Sequence, residues 1–366
     1  MNKTRTRDLT IESIDIRPVN ISLTDAFTIS RGSIERAENV FLEITLKSGI
    51  KGYGEIAPFE ELTGEDRDFC VDVANKLKEH LIGKAVHNYV YLSRLIKEIM
   101  PGQTAVRCGY EIAILDAYSR FLNIPFRELF GGRLITGLKT DITIPILGFK
   151  RSVELAEQWF KKGFNTFKIK VGSNFDNEIK LVNHINELIP DAEFIFDANQ
   201  GFEVDEAILF VNELEKRGCK IILYEQPVKR EDIEGMIKIK QSINVPLAAD
   251  ETVFTKADAL EVIKRDAADV INLKIMKSGV IDTFEIASMT LTAGLGLMIG
   301  GMVESRLAMG CSLAIAQAVD GISFFDLDTP ILMSEDPLVG GYSYDGPLMI
   351  PDNYPGLGMH PKIFNK

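Results

Sequence analysis

"FIFDANQGFEVDEAILFVNELEKRGCKIILYEQP", residues 194–227, holds two short apolar runs separated by an amphipathic, charged stretch. Each run closes on an acid, Asp197 in the first and Glu225 in the second. Short apolar runs bounded by polar residues read as buried strands, and the stretch between them reads as a helix. A strand, a helix and a second strand form one βα unit with parallel strands.

The unit recurs through the rest of the chain. Strand-like runs stand at LKTDITIPIL (138–147), FKIKV (167–171), EFIFDAN (193–199) and IILYEQP (221–227). They continue at VPLAADE (245–251), VINLKIM (270–276), GLGLMIGG (294–301) and ISFFDLD (322–328). Lys170 to Asp197 spans 27 residues, followed by 28 to Glu225, 25 to Asp250 and 24 to Lys274. Two further steps of 26 reach Gly300 and Asp326. Eight strands at this spacing, with polar residues at nearly every C-terminal end, predict an α/β fold closed into a TIM-type barrel. An open doubly wound sheet would not put a polar residue at the end of every strand.

Ahead of the barrel, residues 1–60 read as strands, with Ser48-Gly49 as a hairpin turn. Residues 65–130 read as helices, so a separate α+β domain is expected over 1–135, with the barrel over 136–330. A net charge of −12 argues against nucleic acid or an acidic membrane surface as partner. No run is apolar and long enough to span a bilayer. Cys70, Cys108, Cys219 and Cys311 lie far apart in no metal-type spacing, which predicts buried free thiols in a reducing compartment. The N-terminal residues show no apolar secretion segment, so a cytoplasmic protein is expected.

The strand ends carry the chemistry, because barrel active sites sit at the C-terminal mouth. Asp197, Glu225 and Asp250 close the third, fourth and fifth barrel strands. Three converging carboxylates repel one another unless a cation joins them, and all-oxygen ligands select Mg²⁺ first and Mn²⁺ second. Asn199 could support that site or simply serve the turn. Lys168 and Lys170 share a face of the second strand, roughly 7 Å apart. Lys274 ends the sixth strand, diametrically opposite. Two lysines flanking one bound carbon suit proton removal from one face and return to the other, through an enediolate stabilised by the metal. A lysine base must be neutral near pH 7, and Lys168 beside Lys170 is expected to push it that way by repulsion and desolvation.

The motifs FKIKVG, FDANQG, YEQP, AADET, VINLKIMKSGV, GGMVESRL and DLDTP together resemble the enolase superfamily, in its muconate-lactonizing subgroup. The resemblance covers the whole chain. It implies a modified (β/α)7β barrel, with the N-terminal α+β segment as a capping domain completed by residues 331–366. It also implies Mg²⁺ on Asp197, Glu225 and Asp250, a lysine base on each face, and a homo-oligomer. No histidine stands at a strand end, which disfavours the branch with a histidine base.

Asp326 and Asp328 in DLDTP share a face of the eighth strand. They face the far end of a substrate whose carboxylate is held opposite, where two acids want a cation such as an α-ammonium group. A dipeptide has both groups, and this D-x-D resembles the ammonium motif of dipeptide epimerases such as those acting on L-Ala-D/L-Glu. An enolising lyase or cycloisomerase, such as an o-succinylbenzoate synthase, needs the metal and lysines but not these acids. A non-catalytic carboxylate-binding protein is the third reading. Side-chain preference is expected from the lid segments FTISRGS (27–33) and PFEELTG (58–64). Arg31 would suit a glutamate and Glu60 or Glu61 a cation. Phe27, Ile29, Phe59, Gly301 and Met302 would suit an apolar residue.

Overall fold

The computed structural model describes residues 8–365. Strands β1 (Ile11–Ile29), β2 (Gly32–Leu46) and β3 (Lys51–Ile56) form an antiparallel sheet in that order. Gly49 turns the chain between β2 and β3 with φ 81°, and its N–H donates to the Leu46 carbonyl at 2.7 Å. The β1–β2 hairpin is longer than the sequence suggests. Segment 27–33, expected as a lid, continues the ladder beyond a bulge, pairing Phe27 with Ile34 and Ile29 with Gly32. Only Ser30 and Arg31 make the turn at its tip. Cross-strand bonds thus hold the segment in shape.

Helices α1 (Glu60–Thr63), α2 (Arg67–Leu81), α3 (Tyr89–Ile99) and α4 (Thr104–Leu122) follow. The long α4 is buried along most of its length against β3. Gly52 and Gly54 of β3 allow that approach. A Cβ on Gly54 would overlap the Gly109 carbonyl oxygen, and one on Gly52 would overlap the backbone at Ala113 and Ala117.

The barrel begins with β4 (Ile142–Ile144) and α5 (Phe149–Lys161), β5 (Thr166–Lys170) and α6 (Phe175–Leu188). It continues through β6 (Glu193–Asp197), α7 (Val204–Lys216), β7 (Lys220–Glu225), α8 (Ile233–Ser242), β8 (Leu247–Ala249) and α9 (Lys256–Arg265). After β9 (Val270–Lys274) a single turn, α10 (Ile275–Ser278), precedes α11 (Val280–Thr292). Then come β10 (Gly296–Gly300), α12 (Arg306–Ala316) and β11 (Ile322–Phe325). The eight strands pair in chain order, each parallel to the next, as the spacing predicts. Ile195, Leu223, Ala248, Val270 and Met298 fill the interior below the mouth.

Between β11 and β4 the closure is a stitched seam, with no ladder assigned. The Asp141 N–H donates to the Phe325 carbonyl at 2.9 Å, the Leu327 N–H to Thr140 Oγ1 at 2.8 Å, and the Thr143 N–H to Asp328 Oδ2 at 2.6 Å. The chain ends with α13 (Thr329–Leu332), β12 (Leu338–Gly340), β13 (Ser343–Asp345), β14 (Leu348–Ile350) and β15 (Met359–Pro361). This segment touches both halves of the molecule. The Met349 N–H donates to Leu138 beside the barrel, and the Phe126 N–H donates to Gly356.

One buried carboxylate ties the N-terminal sheet to the barrel. Glu55 of β3 accepts from Ser305 N at 2.9 Å, Ser305 Oγ at 2.7 Å and Ala308 N at 2.9 Å. It thereby satisfies N–H groups that open the first turn of α12. The four cysteines are buried and free. Among the described residues no helix is long and apolar enough to cross a membrane.

Candidate active site

Parallel pairing puts Lys170 beside Asp197 and Asp197 beside Glu225, each the last residue of its strand. Asp250 follows β8 directly, and Lys274 ends β9. Carboxylate oxygens of Asp197, Glu225 and Asp250 lie within 4.8 Å of one another, and all three residues are fully buried. The turns that release these acids are strained. Asn199, Gln200 and Gln226 hold φ of 42°, 70° and 37°, a region that side chains disfavour. Side-chain bonds support them. Gln226 Oε1 accepts from the N–H groups of Asp250 and Thr252, each at 3.0 Å, locking the β7 turn to the end of β8. Asn199 serves both anticipated roles: it turns the chain, its N–H donates to Asp197 Oδ1 at 3.0 Å, and its amide donates to Glu251 at 3.2 Å.

Lysines surround the three acids. Lys170 Nζ lies 2.6 Å from Asp197 Oδ2 and Lys274 Nζ 2.7 Å from Asp250 Oδ2. Lys168 enters one layer lower, paired with Ile195, and its Nζ reaches Asp197 at 3.0 Å, Glu225 at 2.8 Å and Asp326 at 2.6 Å. Burial works against charge on Lys168, yet Asp197, Asp326 and Glu225 outweigh it and hold the ammonium well above its ordinary pKa. The Lys168 charge, expected to repel Lys170, is engaged by three carboxylates. Lys274 is likewise raised, with Asp250 overcoming burial.

Burial opposes ionisation of Asp197 and Asp250, but the neighbouring lysines win and hold both well below the carboxylate range. Glu225 is pushed up to about 7, by burial first and then by the charge on Asp197. The sequence reading missed Lys277, whose Nζ lies 2.6 Å from Asp250 Oδ1 and 3.0 Å from the Asn272 carbonyl. It falls on the one-turn α10, three residues past Lys274, where a helical surface lysine was the natural reading. These three acids suit a hard divalent cation: the donors are all oxygen, they share one dry point, and they draw the Nζ atoms of four lysines onto themselves.

A second cluster lies at the seam. Asp141, Asp326 and Asp328 bring carboxylate oxygens within 4.8 Å, and all three residues are buried. Among the described residues, both Asp141 oxygens and Asp328 Oδ1 lack a hydrogen-bond partner. Burial, reinforced by Asp326, pushes Asp328 up to about 7 and Asp141 well above the carboxylate range. Asp141 escaped the sequence reading because it precedes its strand, whereas the pattern followed strand ends.

Lys170, Lys274 and Asp326 open into one narrow cavity of about 30 Å³. Of the residues anticipated from sequence, Phe27, Ile29, Phe59, Gly301 and Met302 line it. Leu62, Thr143, Val303 and Thr329 complete the wall and were not anticipated. Asp328 lies behind, bonded to the Thr143 N–H, and Arg31 is exposed on the hairpin tip. Ser30 beside it fastens the tip over the mouth, its hydroxyl donating to the carbonyls of Ala198 at 2.9 Å and Asn199 at 3.1 Å. Across Phe59 a more open groove of about 400 Å³ carries Glu60 and Glu61.

Residues 11–131 match the mandelate racemase/muconate lactonizing enzyme N-terminal domain, and residues 151–363 match the enolase C-terminal domain-like family. The chain belongs to the enolase superfamily. Within this superfamily it is 40% identical, over 92% of its length and 81% of the other, to an L-Ala-D/L-amino acid epimerase of Populus trichocarpa. Its fold overlays a substrate-liganded L-Ala-D/L-Glu epimerase from Bacillus subtilis with TM-score 0.93, at 31% identity, covering 96% of this chain and 98% of that one. A dipeptide epimerase from Enterococcus faecalis V583, complexed with Mg and L-Leu-L-Tyr, overlays with TM-score 0.92 at 32% identity, covering 96% and 99%. Isomerase is the enzyme class these superfamily relatives support for this chain.

Proposed function

We propose that the protein is a dipeptide epimerase that inverts the α-carbon of the C-terminal residue by two-base proton transfer, with Mg²⁺ as its cofactor. One observation carries the reading: Lys170 and Lys274, from strands on opposite sides of the barrel, enter one cavity that also holds Asp326. One lysine removes the α-proton from its face and the other returns a proton to the opposite face. Either lysine can begin, depending on which epimer is bound. Asp326, with Asp328 behind it, receives the substrate's ammonium group and so fixes which carbon lies between the bases.

A divalent cation held by Asp197, Glu225 and Asp250 would bind the substrate carboxylate, stabilise the charge developing there as the proton leaves, and engage the acids that now pair with the lysines. Phe27 stands over Lys170, its ring centroid 5.6 Å from Nζ. The second cluster favours an epimerase over a lyase or cycloisomerase, because enolisation alone leaves three buried acids at the seam without use.

Incubation in D₂O with Mg²⁺ and a library of L-Xaa-L-Xaa dipeptides tests the reading by mass spectrometry. One deuteron should enter at the C-terminal α-carbon of at least one dipeptide class. No exchange with any member would overturn it. Asp326→Asn should raise KM far more than it lowers kcat, and unchanged kinetics would remove the ammonium role.

A further inference from the structure

The three kinds of side chain that could set substrate preference separate cleanly in space. Arg31, the candidate partner for an acidic side chain, is exposed at the hairpin tip and forms no ion pair among the described residues. Glu60 and Glu61, candidate partners for a cationic side chain, line the open groove on the far side of Phe59. The apolar candidates all face the cavity that holds the lysines. Helix α1 makes the division itself: Phe59, its N-cap, and Leu62 face inward, whereas Glu60 and Glu61 face the groove.

We infer that the residue inverted by this enzyme carries an apolar side chain, leucine- or phenylalanine-like, held between Phe27 and Ile29 of the hairpin, Phe59 and Leu62 of the lid, and Met302. This rests on the epimerase reading above and specifies its substrate class. Lys170 and Lys274 are the cations that line this cavity, and both are committed to the proton transfer. A glutamate side chain here would meet no free cation, and a lysine side chain would bring a third ammonium beside two. Burying either charge unpaired is costly, whereas an apolar side chain gains from leaving water. Inversion carries the α-proton from one face of the α-carbon to the other, and the side chain shifts between two nearby positions as the carbon re-pyramidalises. An apolar wall accepts both positions, because its attraction has no direction.

The cavity is too narrow, at about 30 Å³, to admit a leucine side chain with the lid as it stands. The lid must therefore lift to load and settle onto the substrate afterwards. Its inward residues then become contacts made by the bound side chain.

The test compares L-Ala-L-Leu, L-Ala-L-Phe, L-Ala-L-Glu and L-Ala-L-Lys by α-deuteron exchange with Mg²⁺ present. The apolar pair should exceed the charged pair by at least about 10²-fold in kcat/KM, the scale of pocket discrimination by contact and desolvation. Equal or faster exchange of the glutamate or lysine dipeptide would overturn the inference while leaving the epimerase reading intact. Absence of exchange with all four and with the wider library would overturn that reading as well. Calorimetric affinities for dipeptides ending in α-methyl-leucine or α-methyl-glutamate, which have no α-proton, should rank the same way without turnover. Arg31→Ala should leave every rate within about twofold, as expected of a surface substitution. Ile29→Arg should lower the leucine-to-glutamate ratio at least tenfold. Selective loss of glutamate turnover in Arg31→Ala would place the arginine in the site and overturn the assignment.

Discussion

The barrel holds two clusters of three buried acids, alike in size and seclusion and opposite in condition. Asp197, Glu225 and Asp250 arise from consecutive parallel strands and are crowded by lysines, which hold Asp197 and Asp250 ionised. Asp141, Asp326 and Asp328 meet at the seam that closes the barrel, with Lys168 as their ammonium contact among the ion pairs described. Burial there drives Asp141 and Asp328 towards their neutral forms. Residue type therefore does not fix the role of a buried acid. The cations its strand register delivers do, and Lys168, touching Asp197 and Asp326 at once, links the two conditions.

Removing one acid from the lysine-rich cluster should rank among the largest effects. Glu225→Gln is expected to lower exchange on the order of 10³-fold, the upper range for losing one preorganised group that stabilises developing charge. Mg²⁺ titration by calorimetry should show weakened binding in the same variant. Full Mg²⁺ affinity and full activity would show that the cluster is not a metal site.

The lysines break the comparison from the other side. Lys170→Ala and Lys274→Ala should each cost about 10²–10⁴-fold in epimerisation. Each should retain α-proton exchange from only one epimer, and the surviving epimer should differ between the two variants. Equal loss from both epimers would contradict a division of faces. The seam cluster should respond most gently, through stability. The pKa of Asp328, raised to about 7, makes a contribution that is full at low pH and is lost as pH rises through 7. Asp328→Asn, which keeps an acceptor for the Thr143 N–H, should flatten that decline by roughly 2–4 kcal/mol between pH 4 and 8. Thermal melts across this range check it, and parallel curves for the two proteins would show that Asp328 stays ionised throughout.

Strand-end spacing made the first cluster legible and left the second half-hidden. Lys170, Asp197, Glu225 and Lys274 are the terminal residues of their strands, and Asp250 and Asp326 follow theirs by one, because one βα unit returns to the same height every 24 to 28 residues. Asp141 belongs to no such series: it enters its cluster through the seam, and closure across a seam is a tertiary fact. Lys277 lies one helical turn past a strand, and only the path of α10 turns it back onto Asp250. The hairpin tip misled in a different way. FTISRGS reads as a lid segment, yet it forms the paired end of a hairpin, and its pairing is decided by the bulge before Phe27. The inward turn of Leu62, against Glu60 and Glu61, followed from no periodicity that four residues can display.

Gly54 makes the height of the lid depend on a missing atom. Its bare Cα lets β3 lie flush on α4, and the very next residue, Glu55, is the peg on which the start of α12 hangs. Phe59 stands three residues beyond the end of that same strand. The glycine thus acts as a spacer gauge of zero thickness. A single methyl there would shim the sheet outward, and the fit over the substrate would be reset from a point that no substrate touches.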